Sequence, residues 1–457
     1  MKSFNNLSGV VLGLALVPLA AWATDWPGIV EQRIAGDRSG VCLVATRIDS
    51  DINHFSACSD DPAPRALDPE SRFEIGSISK ALQGLLVAAL VEAGEIDLDQ
   101  TLAASLPEAE SLPGAADEPI RLRHLLTHTS GLPRLPPGFT PQDLANPYAA
   151  LQPQDLIKAL ARSELQSRPG ERFAYSNFGA MLLSLALVEH TGQPLSTLFD
   201  QHVFQPLGMT QTSLDGPTTA GHDGSGKPTM NWDFHPALGG VGAIRSTADD
   251  LSRWLSAMLA PEDSALSAAL TRSAKPLTKA QGQIIGYGWL HLPLNGRTVL
   301  AHDGGTGGFS SFAVVDPDRK RAATVLMDTS MIASGGLSDL AYHLIDAGYP
   351  LGQPDRPAAA AAGEALADYQ GRFSLYDGDQ RFMGDFTLEF SVHRAELLIQ
   401  ASGGGQVQPQ IPLRSEGNGR FVQQDLDLVI EFQRDDAGQV SRLDFRQGPL
   451  SLDGRRQ

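Results

Sequence analysis

Positive charge, cysteine and long apolar runs are all scarce in this chain of 457 residues. Lys and Arg number 35 against 53 Asp and Glu, so the net charge at neutral pH is -18. An acidic balance of this size repels phosphate backbones and anionic lipid surfaces, which excludes nucleic acid and membrane surfaces as expected partners. Because no second apolar stretch of about 18 residues follows the N-terminal one, the sequence predicts no membrane span.

The overall composition is typical of a globular protein. Hydrophobic residues make up 42% of the chain and charged residues 19%, which is too apolar for a disordered one. The length predicts two or three domains rather than one.

Only two cysteines are present, Cys42 and Cys58. They lie in two strand-like runs, 41–48 and 52–59, which predict a hairpin centred on Ser50. Such a hairpin places the two cysteines opposite each other. The pattern fits a disulfide formed in an oxidising compartment, and it equally fits two buried free thiols.

The first 23 residues have the three parts of a secretory signal peptide. Lys2 supplies the positive charge, residues 12–20 form an apolar run, and residues 21–23 read as an A-x-A cleavage site. A membrane anchor is the alternative, although the apolar run is short for a bilayer span. The sequence therefore predicts a periplasmic or secreted protein cleaved near Ala23.

Strand-like patterns at both ends of residues 24–350 flank a helical middle. Helices are predicted over 73–94 and 249–259, and the stretch 121–215 has a mainly helical pattern. Four strand-like runs follow, at 286–292, 298–302, 310–316 and 322–328. This order predicts an α/β (α+β) fold, in which an antiparallel sheet flanked by helices carries an all-helical subdomain.

The pattern changes after residue 350. Residues 351–365 are rich in Pro and Ala and predict a linker. In residues 366–457, short alternating strands separated by Gly and Asp predict a small antiparallel barrel or sandwich. This region could bind an apolar ligand, mask the active site, drive assembly or simply pack. The oligomeric state stays open.

The pattern S-x-x-K occurs once, at Ser77 and Lys80, although the chain has seven lysines. The surrounding segment is apolar on nearly every side, which is typical of a buried helix. Residues three apart share a helix face, and burial disfavours a charged lysine, so Lys80 can act as a base toward Ser77. The structural alternative is that Ser77 caps the helix and Lys80 extends into solvent.

Tyr175 and Asn177 form a second candidate segment, because no other tyrosine is followed two positions later by asparagine. A phenol near a lysine loses its proton more easily and can act as a general base. Asn177 can donate a hydrogen bond to a substrate amide carbonyl. A surface turn after Pro169 and Gly170 is the structural alternative.

A third segment, 302–305, reads His-Asp-Gly-Gly at the end of a predicted strand. Glycines such as Gly304 let a substrate lie close to the backbone. One backbone N–H from this strand, together with that of Ser77, would form an oxyanion hole. A Gly-rich hairpin turn is the structural alternative.

Together the three segments resemble the class C type of serine β-lactamases, D-alanyl-D-alanine peptidases and related esterases. The resemblance runs from about residue 26 to 350, and its segments follow the family's order. The region after residue 365 is similar to a lipocalin-like domain seen on some members. The matching segments are 73–80, 123–132, 169–177, 206–209, 239–241 and 302–305.

This resemblance implies a site between the sheet and the helical subdomain. It implies that Ser77 is the nucleophile and that Lys80 and Tyr175 transfer protons. It also implies that Asn177 contacts the substrate and that the N–H groups of Ser77 and Gly305 form the oxyanion hole.

One position departs from the family pattern. His302 stands where efficient β-lactamases of this type usually carry a lysine that anchors the substrate carboxylate. A histidine near its reference pKa of about 6.5 is mostly neutral at pH 7, so strong antibiotic hydrolysis is not expected. A peptidase remains possible, because some family peptidases resemble this sequence in having histidine there.

The sequence therefore predicts a secreted serine hydrolase that forms an acyl-enzyme on Ser77. Its expected substrates are small molecules or peptides: D-amino-acid peptides, small esters or β-lactams. The alternative is a non-hydrolytic penicillin or peptidoglycan-fragment binding protein on the same scaffold. Whether Lys80 or Tyr175 is the main base stays open.

No cofactor and no metal are expected. His124 and His128 lie four residues apart, as in some zinc proteases, but Leu125 stands where those enzymes need glutamate. The run 221–227 fits most of a phosphate-binding loop, yet Pro228 follows it instead of serine or threonine.

Overall fold

The computed structural model describes residues 24–37, 39–59, 66–111, 118–224, 226–330, 337–352, 354, 365–382, 386–393, 396–403, 406–408, 410–423, 428–447 and 450–457. The predicted signal peptide, residues 1–23, lies outside the described residues. Most of the predicted linker at 351–365 lies outside them as well.

The elements fall into an α/β part followed by an all-β part. The α-helices among the described residues are α1 (Trp26–Ile34), α2 (Ile78–Glu92), α3 (Leu122–Leu126), α4 (Pro153–Ala161), α5 (Asn177–Thr191), α6 (Leu195–Phe199), α7 (Gln205–Leu207), α8 (Ala248–Leu259), α9 (Ser267–Ser273) and α10 (Ser338–Ile345). The strands of the α/β part are β1 (Cys42–Ile48), β2 (Ile52–Cys58), β3 (Arg72–Glu74), β4 (Arg245–Thr247), β5 (Thr278–Ala280), β6 (Gln283–Ile285), β7 (Leu290–Leu294), β8 (Arg297–Gly305), β9 (Ser310–Asp316) and β10 (Arg321–Met327).

The main sheet has eight antiparallel strands in the order β2-β1-β10-β9-β8-β7-β6-β5. The N-terminal hairpin pairs with the last strand, so that Val44 of β1 lies opposite Leu326 of β10. Both ends of the α/β part therefore meet in one sheet, which confirms the predicted fold class. Within the hairpin, Cys42 lies directly opposite Cys58, and the two form a disulfide.

Helices cover both faces of this sheet. Along β10, Leu326 belongs to the core shared with α2 and α8, whereas Val325 and Met327 belong to the core shared with α1 and α10. This alternation is what a strand buried on both faces requires. The larger core also takes in α5 and its neighbours, so α2 lies buried between the sheet and the helical region.

The predicted helix over 73–94 is wrong in its first turn. Residues 72–74 form β3, which pairs with β4 and places Phe73 opposite Ser246. Gly76 then takes a φ of +48°, a left-handed conformation that glycine adopts without strain. The chain turns there, and α2 begins only at Ile78.

Two other predictions from the sequence need adjustment. The strand predicted over 286–292 begins at Leu290, because residues 286–289 turn before β7. The helix predicted over 249–259 is confirmed with a start at Ala248, and the Thr247 hydroxyl caps it by accepting from the N–H of Asp250.

The all-β part is a closed barrel. Its strands are β11 (Gly371–Asp377), β12 (Gln380–Arg381), β13 (Thr387–His393), β14 (Glu396–Gly403), β15 (Gln406–Val407), β16 (Ile411–Gly417), β17 (Arg420–Gln423), β18 (Leu428–Arg434), β19 (Val440–Gln447) and β20 (Leu450–Arg456). Eight of them form a ring that closes where β11 pairs with β20, so the predicted barrel or sandwich is a barrel. Its core includes Phe373, Phe390, Phe421 and Phe432.

Candidate active site

Ser77 stands at the point where the Gly76 turn enters α2, with Lys80 one helical turn later. The ammonium of Lys80 donates to the Ser77 hydroxyl oxygen over 2.9 Å and to the Val241 carbonyl over 2.6 Å. Both residues therefore share a helix face, as their spacing predicts. Lys80 does not extend into solvent, since only 3% of its surface is exposed.

Burial makes Lys80 a base near neutral pH. Desolvation and, to a smaller extent, the positive charge of Arg134 lower its pKa from 10.5 to about 7, and the charge of Asp303 opposes part of this shift. A neutral amine at 2.9 Å from a serine hydroxyl can accept its proton, which is the first requirement for nucleophilic attack by Ser77.

Two basic side chains, Lys80 and Arg134, lie near the ring of Tyr175. The Lys80 Nζ atom is 5.1 Å from the centroid of its ring, and the Arg134 Cζ atom is 5.4 Å from it. The sequence-based expectation that lysine eases deprotonation of this phenol is not met in the free protein. Burial raises the pKa of Tyr175, although a hydrogen bond with Ser77 lowers it in part. Tyr175 is therefore protonated at neutral pH and placed to donate.

His128 holds the Tyr175 segment in position. Its ring stacks on that of Tyr175 with centroids 4.3 Å apart, and its Nδ1 accepts the N–H of Ser176 over 3.2 Å. Its carbonyl also accepts the N–H of Ala174. Burial, together with the charge of Lys80, lowers the pKa of His128 well below its usual range, so the ring stays neutral. The sequence placed His128 in the matched segment 123–132 without a role and argued against a metal there, and the structure shows that it positions the Tyr175 segment.

Asn177 is the first residue of α5 and lines the same cavity as Ser77. Ser176 caps this helix: its hydroxyl oxygen accepts the N–H of Gly179 and the hydroxyl donates to the Pro133 carbonyl over 2.7 Å. The Oδ1 atom of Asn177 is buried without a hydrogen-bond partner among the described residues. A polar atom left unpaired beside a nucleophile is available to a substrate amide.

At the end of β8, alternate residues differ in whether they face the cavity. Asp303 and Gly305 line the cavity, whereas His302 and Gly304 are buried and are not part of its wall. His302 Nδ1 lies 2.6 Å from the Asp303 carbonyl, and its ring centroid is 6.3 Å from that of Tyr175. Burial lowers the pKa of His302, and the charge of Lys80 adds to this, so it is neutral at pH 7.

The backbone N–H of Gly305 lies close to the turn that carries Ser77. Across the β8–β9 turn, the N–H of Thr306 donates to the carbonyl of Phe309. Bonded and non-bonded pairs alternate along antiparallel strands, so the next pair, Gly305 and Ser310, is a non-bonded one. The N–H of Gly305 therefore points away from β9. A Cβ built on Gly76 would lie 2.4 Å from the Gly305 nitrogen, which shows how near this N–H comes to the Ser77 turn.

The cavity has a volume of about 500 Å³, and its wall combines polar groups with aromatic and aliphatic side chains. Tyr148 stacks between Phe139 and Phe234, with centroid distances of 5.6 and 4.9 Å, and Trp232 meets Tyr148 edge to face. The loops 134–150 and 216–236 supply most of this wall. The remaining apolar wall residues are Leu135, Pro141, Leu144 and Pro147.

A buried ion-pair network fixes Trp232. Glu74 accepts the Trp232 N–H over 2.8 Å, and Arg245 donates to the Trp232 carbonyl and to Asp233. Burial raises the pKa of Glu74, and the opposing effect of Arg245 is smaller. Asn146 in turn binds Asp233, so both wall loops are tied together through this network.

No individual role in the site was predicted from the sequence for Arg134, Asp303, Tyr148 or Trp232, although the loops 134–150 and 216–236 were expected to line the pocket. Arg134 lies two positions after the matched segment 123–132, and Asp303 lies inside the third motif. Their places in the sequence could therefore have identified both as site residues. Tyr148 and Trp232 had no such signal, because their loops match no motif that distinguishes one residue from its neighbours. Among the described residues, no group of three His, Cys, Asp or Glu side chains is placed to hold a metal ion.

Comparison with known proteins gives matches over the α/β part. A family model described as Beta-lactamase matches residues 28–342. The D-alanyl-D-alanine-carboxypeptidase/endopeptidase AmpH of Escherichia coli (strain K12) is 27% identical over 300 residues, which cover 60% of this chain and 77% of AmpH. Protein flp of Staphylococcus aureus (strain MRSA252) is 28% identical over 276 residues, which cover 56% of this chain and 53% of flp.

One solved structure, the D-alanine carboxypeptidase AmpC from Burkholderia cenocepacia, has the same fold. It superposes with a TM-score of 0.56 at 21% identity and covers 67% of this chain and 93% of that one. Among the described helices, none has the length and apolar character needed to cross a bilayer.

Proposed function

This chain belongs to the β-lactamase family of serine hydrolases, and on that premise we propose that it cleaves ester or amide bonds through an acyl-enzyme on Ser77. The observation that carries the proposal is the contact of Lys80 with Ser77 at 2.9 Å, made by a lysine whose pKa burial lowers to about 7. A buried amine in that state is a general base with a nucleophile already in reach.

In the acylation step, Lys80 removes the Ser77 proton while the serine oxygen attacks the substrate carbonyl carbon. The N–H groups of Ser77 and Gly305 stabilise the oxyanion that forms. The tetrahedral adduct then collapses: the bond to the leaving group breaks, and Tyr175, protonated because burial raises its pKa, donates the proton that the leaving group needs. The proton held by Lys80 returns to Tyr175, and the acyl group stays on Ser77.

In the deacylation step, water attacks the acyl carbon and gives its proton to Lys80. Collapse of the second adduct releases the acid and restores the Ser77 hydroxyl. The side-chain oxygen of Asn177 is buried and has no hydrogen-bond partner among the described residues. We propose that it accepts a hydrogen bond from a substrate N–H.

The substrates we propose are D-amino-acid peptides, small esters and β-lactams. The name of AmpH makes D-alanyl-D-alanine peptides the first class to test. His302 is neutral and buried, so it lacks the charge that would anchor a β-lactam carboxylate. We expect β-lactams to acylate Ser77 and to turn over slowly.

We also propose export from the cytoplasm. The basis is the signal-like sequence of residues 1–23 together with the disulfide between Cys42 and Cys58, a bond that persists in oxidising compartments. Mass of the mature protein from a bacterial host tests this, with cleavage after Ala23 as the expected result. An uncleaved N-terminus would contradict it.

The decisive experiment is intact mass over time with benzylpenicillin and with a panel of p-nitrophenyl esters. The wild type should gain an acyl adduct, and Ser77→Ala should gain none. Ser79→Ala is the matched control, because Ser79 lies two residues away and its hydroxyl accepts the N–H of Ile244 over 3.2 Å. An adduct that persists in Ser77→Ala would refute the assignment. Tight binding of these ligands without any adduct would support the binding-protein alternative instead.

A further inference from the structure

Arg134 places a permanent positive charge in the wall of the active-site cavity. It lines that cavity with Ser77, Tyr175 and Asn177, and its guanidinium lies over the Tyr175 ring. Among the described residues it has no acidic side chain within ion-pair distance. A guanidinium that faces a cavity without a carboxylate partner has its five N–H donors available to a ligand.

Hydrogen bonds with the start of α5 hold the backbone of Arg134 in place. Its carbonyl accepts the N–H of Phe178 over 3.1 Å, and the carbonyl of Pro133 accepts the Ser176 hydroxyl. The first turn of α5, which carries Asn177, therefore holds the Arg134 backbone. Arg134 is exposed to the cavity solvent, and its Cζ atom lies 5.4 Å from the centroid of the Tyr175 ring, next to a proposed proton-transfer residue.

The other positive groups nearby are already used or neutral. Lys80 is bonded to Ser77 and to the Val241 carbonyl, and His302 is buried outside the cavity wall. Among the described wall residues, Arg134 is the only basic one. Asp303, on β8, is the only acidic one among them, so a substrate anion is attracted toward Arg134 and repelled from Asp303.

We propose that Arg134 binds a carboxylate of the substrate and makes the site selective for esters and amides that carry one. The planar guanidinium matches a carboxylate with two parallel N–H···O bonds. The inference deepens the proposed acyl-transfer function and rests on it. It supplies, from a loop of the helical region, the charge that His302 does not supply from β8.

The test compares matched substrates that differ in one negative charge. One pair is N-acetyl-D-alanyl-D-alanine and its C-terminal amide, which place the charge in the leaving group. The other is the p-nitrophenyl monoester of glutaric acid and p-nitrophenyl pentanoate, which place it in the acyl group. Arg134→Gln should lower kcat/KM for the acidic member of at least one pair by roughly 10- to 100-fold, with less than about a threefold change for its neutral partner.

Two further variants sharpen the result. Arg134→Lys should restore part of the preference, because it keeps the charge and loses the two-pronged geometry. Arg168→Gln removes an equal charge from an exposed ion pair with Glu118, and it should leave the preference unchanged. Asp303→Asn should raise kcat/KM for the acidic members. The pair that responds identifies the carboxylate as belonging to the acyl or the leaving group.

Binding to Ser77→Ala separates this inference from the proposed function. Calorimetric titration of that variant, with and without Arg134→Gln, measures the preference for the acidic ligand when no acyl transfer occurs. Equal affinities for the acidic and neutral ligands, or no binding of either, would overturn the role of Arg134. Hydrolysis that survives Ser77→Ala would instead overturn the proposed function.

Discussion

At the scale of single residues, the site depends on two ionisable groups. Burial lowers the pKa of one and raises the pKa of the other. Burial lowers the pKa of Lys80 to about 7 and raises that of Tyr175. One group is therefore ready to accept a proton at neutral pH and the other to donate one. The same desolvation produces both roles, because each residue is kept in its uncharged form.

The pH dependence of acylation should report Lys80. Because the base must be neutral, kcat/KM should rise about tenfold per pH unit below pH 7 and level off above it. Lys80→Arg should lose most activity and the step near pH 7 together, since guanidinium stays protonated. The measurement is a pH profile of ester hydrolysis from about pH 5 to 9. A step that persists in Lys80→Arg would assign the base to another group.

His128 should act on the reaction through Tyr175. It stacks on that ring and accepts the Ser176 N–H, so His128→Ala leaves a buried donor unpaired, at a cost of about 1 to 3 kcal/mol. We expect kcat to fall at least tenfold with a smaller change in KM. His128→Asn should recover part of kcat, because Asn carries an acceptor and tolerates the φ of +55° found here. Equal losses in both variants would mean a purely structural role.

At the scale of elements, α2 connects the sheet, the helical region and the nucleophile. Its residues are buried on every face, and at Gly84 the backbone of the segment before β7 comes so near that a Cβ would lie 1.9 Å from the Tyr287 carbonyl oxygen. This close approach fixes how α2, and with it Ser77, sits on the sheet.

Gly84→Ala should therefore destabilise the protein, although alanine is the better helix former. Helix propensity alone favours the change by about 1 kcal/mol, whereas the overlap with a backbone carbonyl should cost roughly 1 to 3 kcal/mol more than that gain. Chemical denaturation with urea measures the net free energy of unfolding. A rise in stability would show that α2 shifts freely, contrary to the packing described.

Element boundaries show where prediction from sequence succeeded and where it failed. Periodicity and order predicted the hairpin, α8 and β9, and the spacing of Ser77 and Lys80 predicted their contact. The start of α2 was missed because Phe73 continues the apolar pattern, while its pairing partner on β4 lies far along the chain. The residues around Phe73 do not indicate which distant strand it pairs with.

The residues of the site were likewise predicted where the signal was local and not where it was long-range. Its three motifs were found because their residues have fixed spacings within one element. The loops 134–150 and 216–236 were expected to line the pocket, but Tyr148 and Trp232 were not identified in them. Their placement depends on distant residues, since Glu74 and Arg245 bind the Trp232 backbone. Long-range placement of this kind is set by packing rather than by the residues' own neighbours.

At the scale of the whole molecule, the barrel reaches the active site. Gln408 lies between β15 and β16 and lines the cavity with Ser77. Its backbone is held within the barrel, since its N–H donates to Ala401 and its carbonyl accepts from Gln400. The backbone of Gly224 also lies next to that of Gln410, so the two parts of the molecule meet beside the cavity.

Gln408 should therefore limit the size of the acyl group that Ser77 accepts. Gln408→Gly should raise kcat/KM for p-nitrophenyl esters with bulky aromatic acyl groups by roughly three- to tenfold, since about one kcal/mol of steric overlap is removed. Acetate and propionate esters should be nearly unaffected, because they fill little of the 500 Å³ cavity. Gln408→Trp should act in the opposite direction.

The matched control is Gln400→Ala, which removes the side-chain bond to the Gln408 carbonyl and leaves the cavity wall intact. It should change selectivity less than Gln408→Gly does. If all three variants hydrolyse large and small esters in the wild-type ratio, the barrel does not shape the site. A size-dependent response limited to Gln408 would mean that substrate choice depends on both parts of the chain, with the α/β part providing the chemistry and the barrel one wall of the cavity.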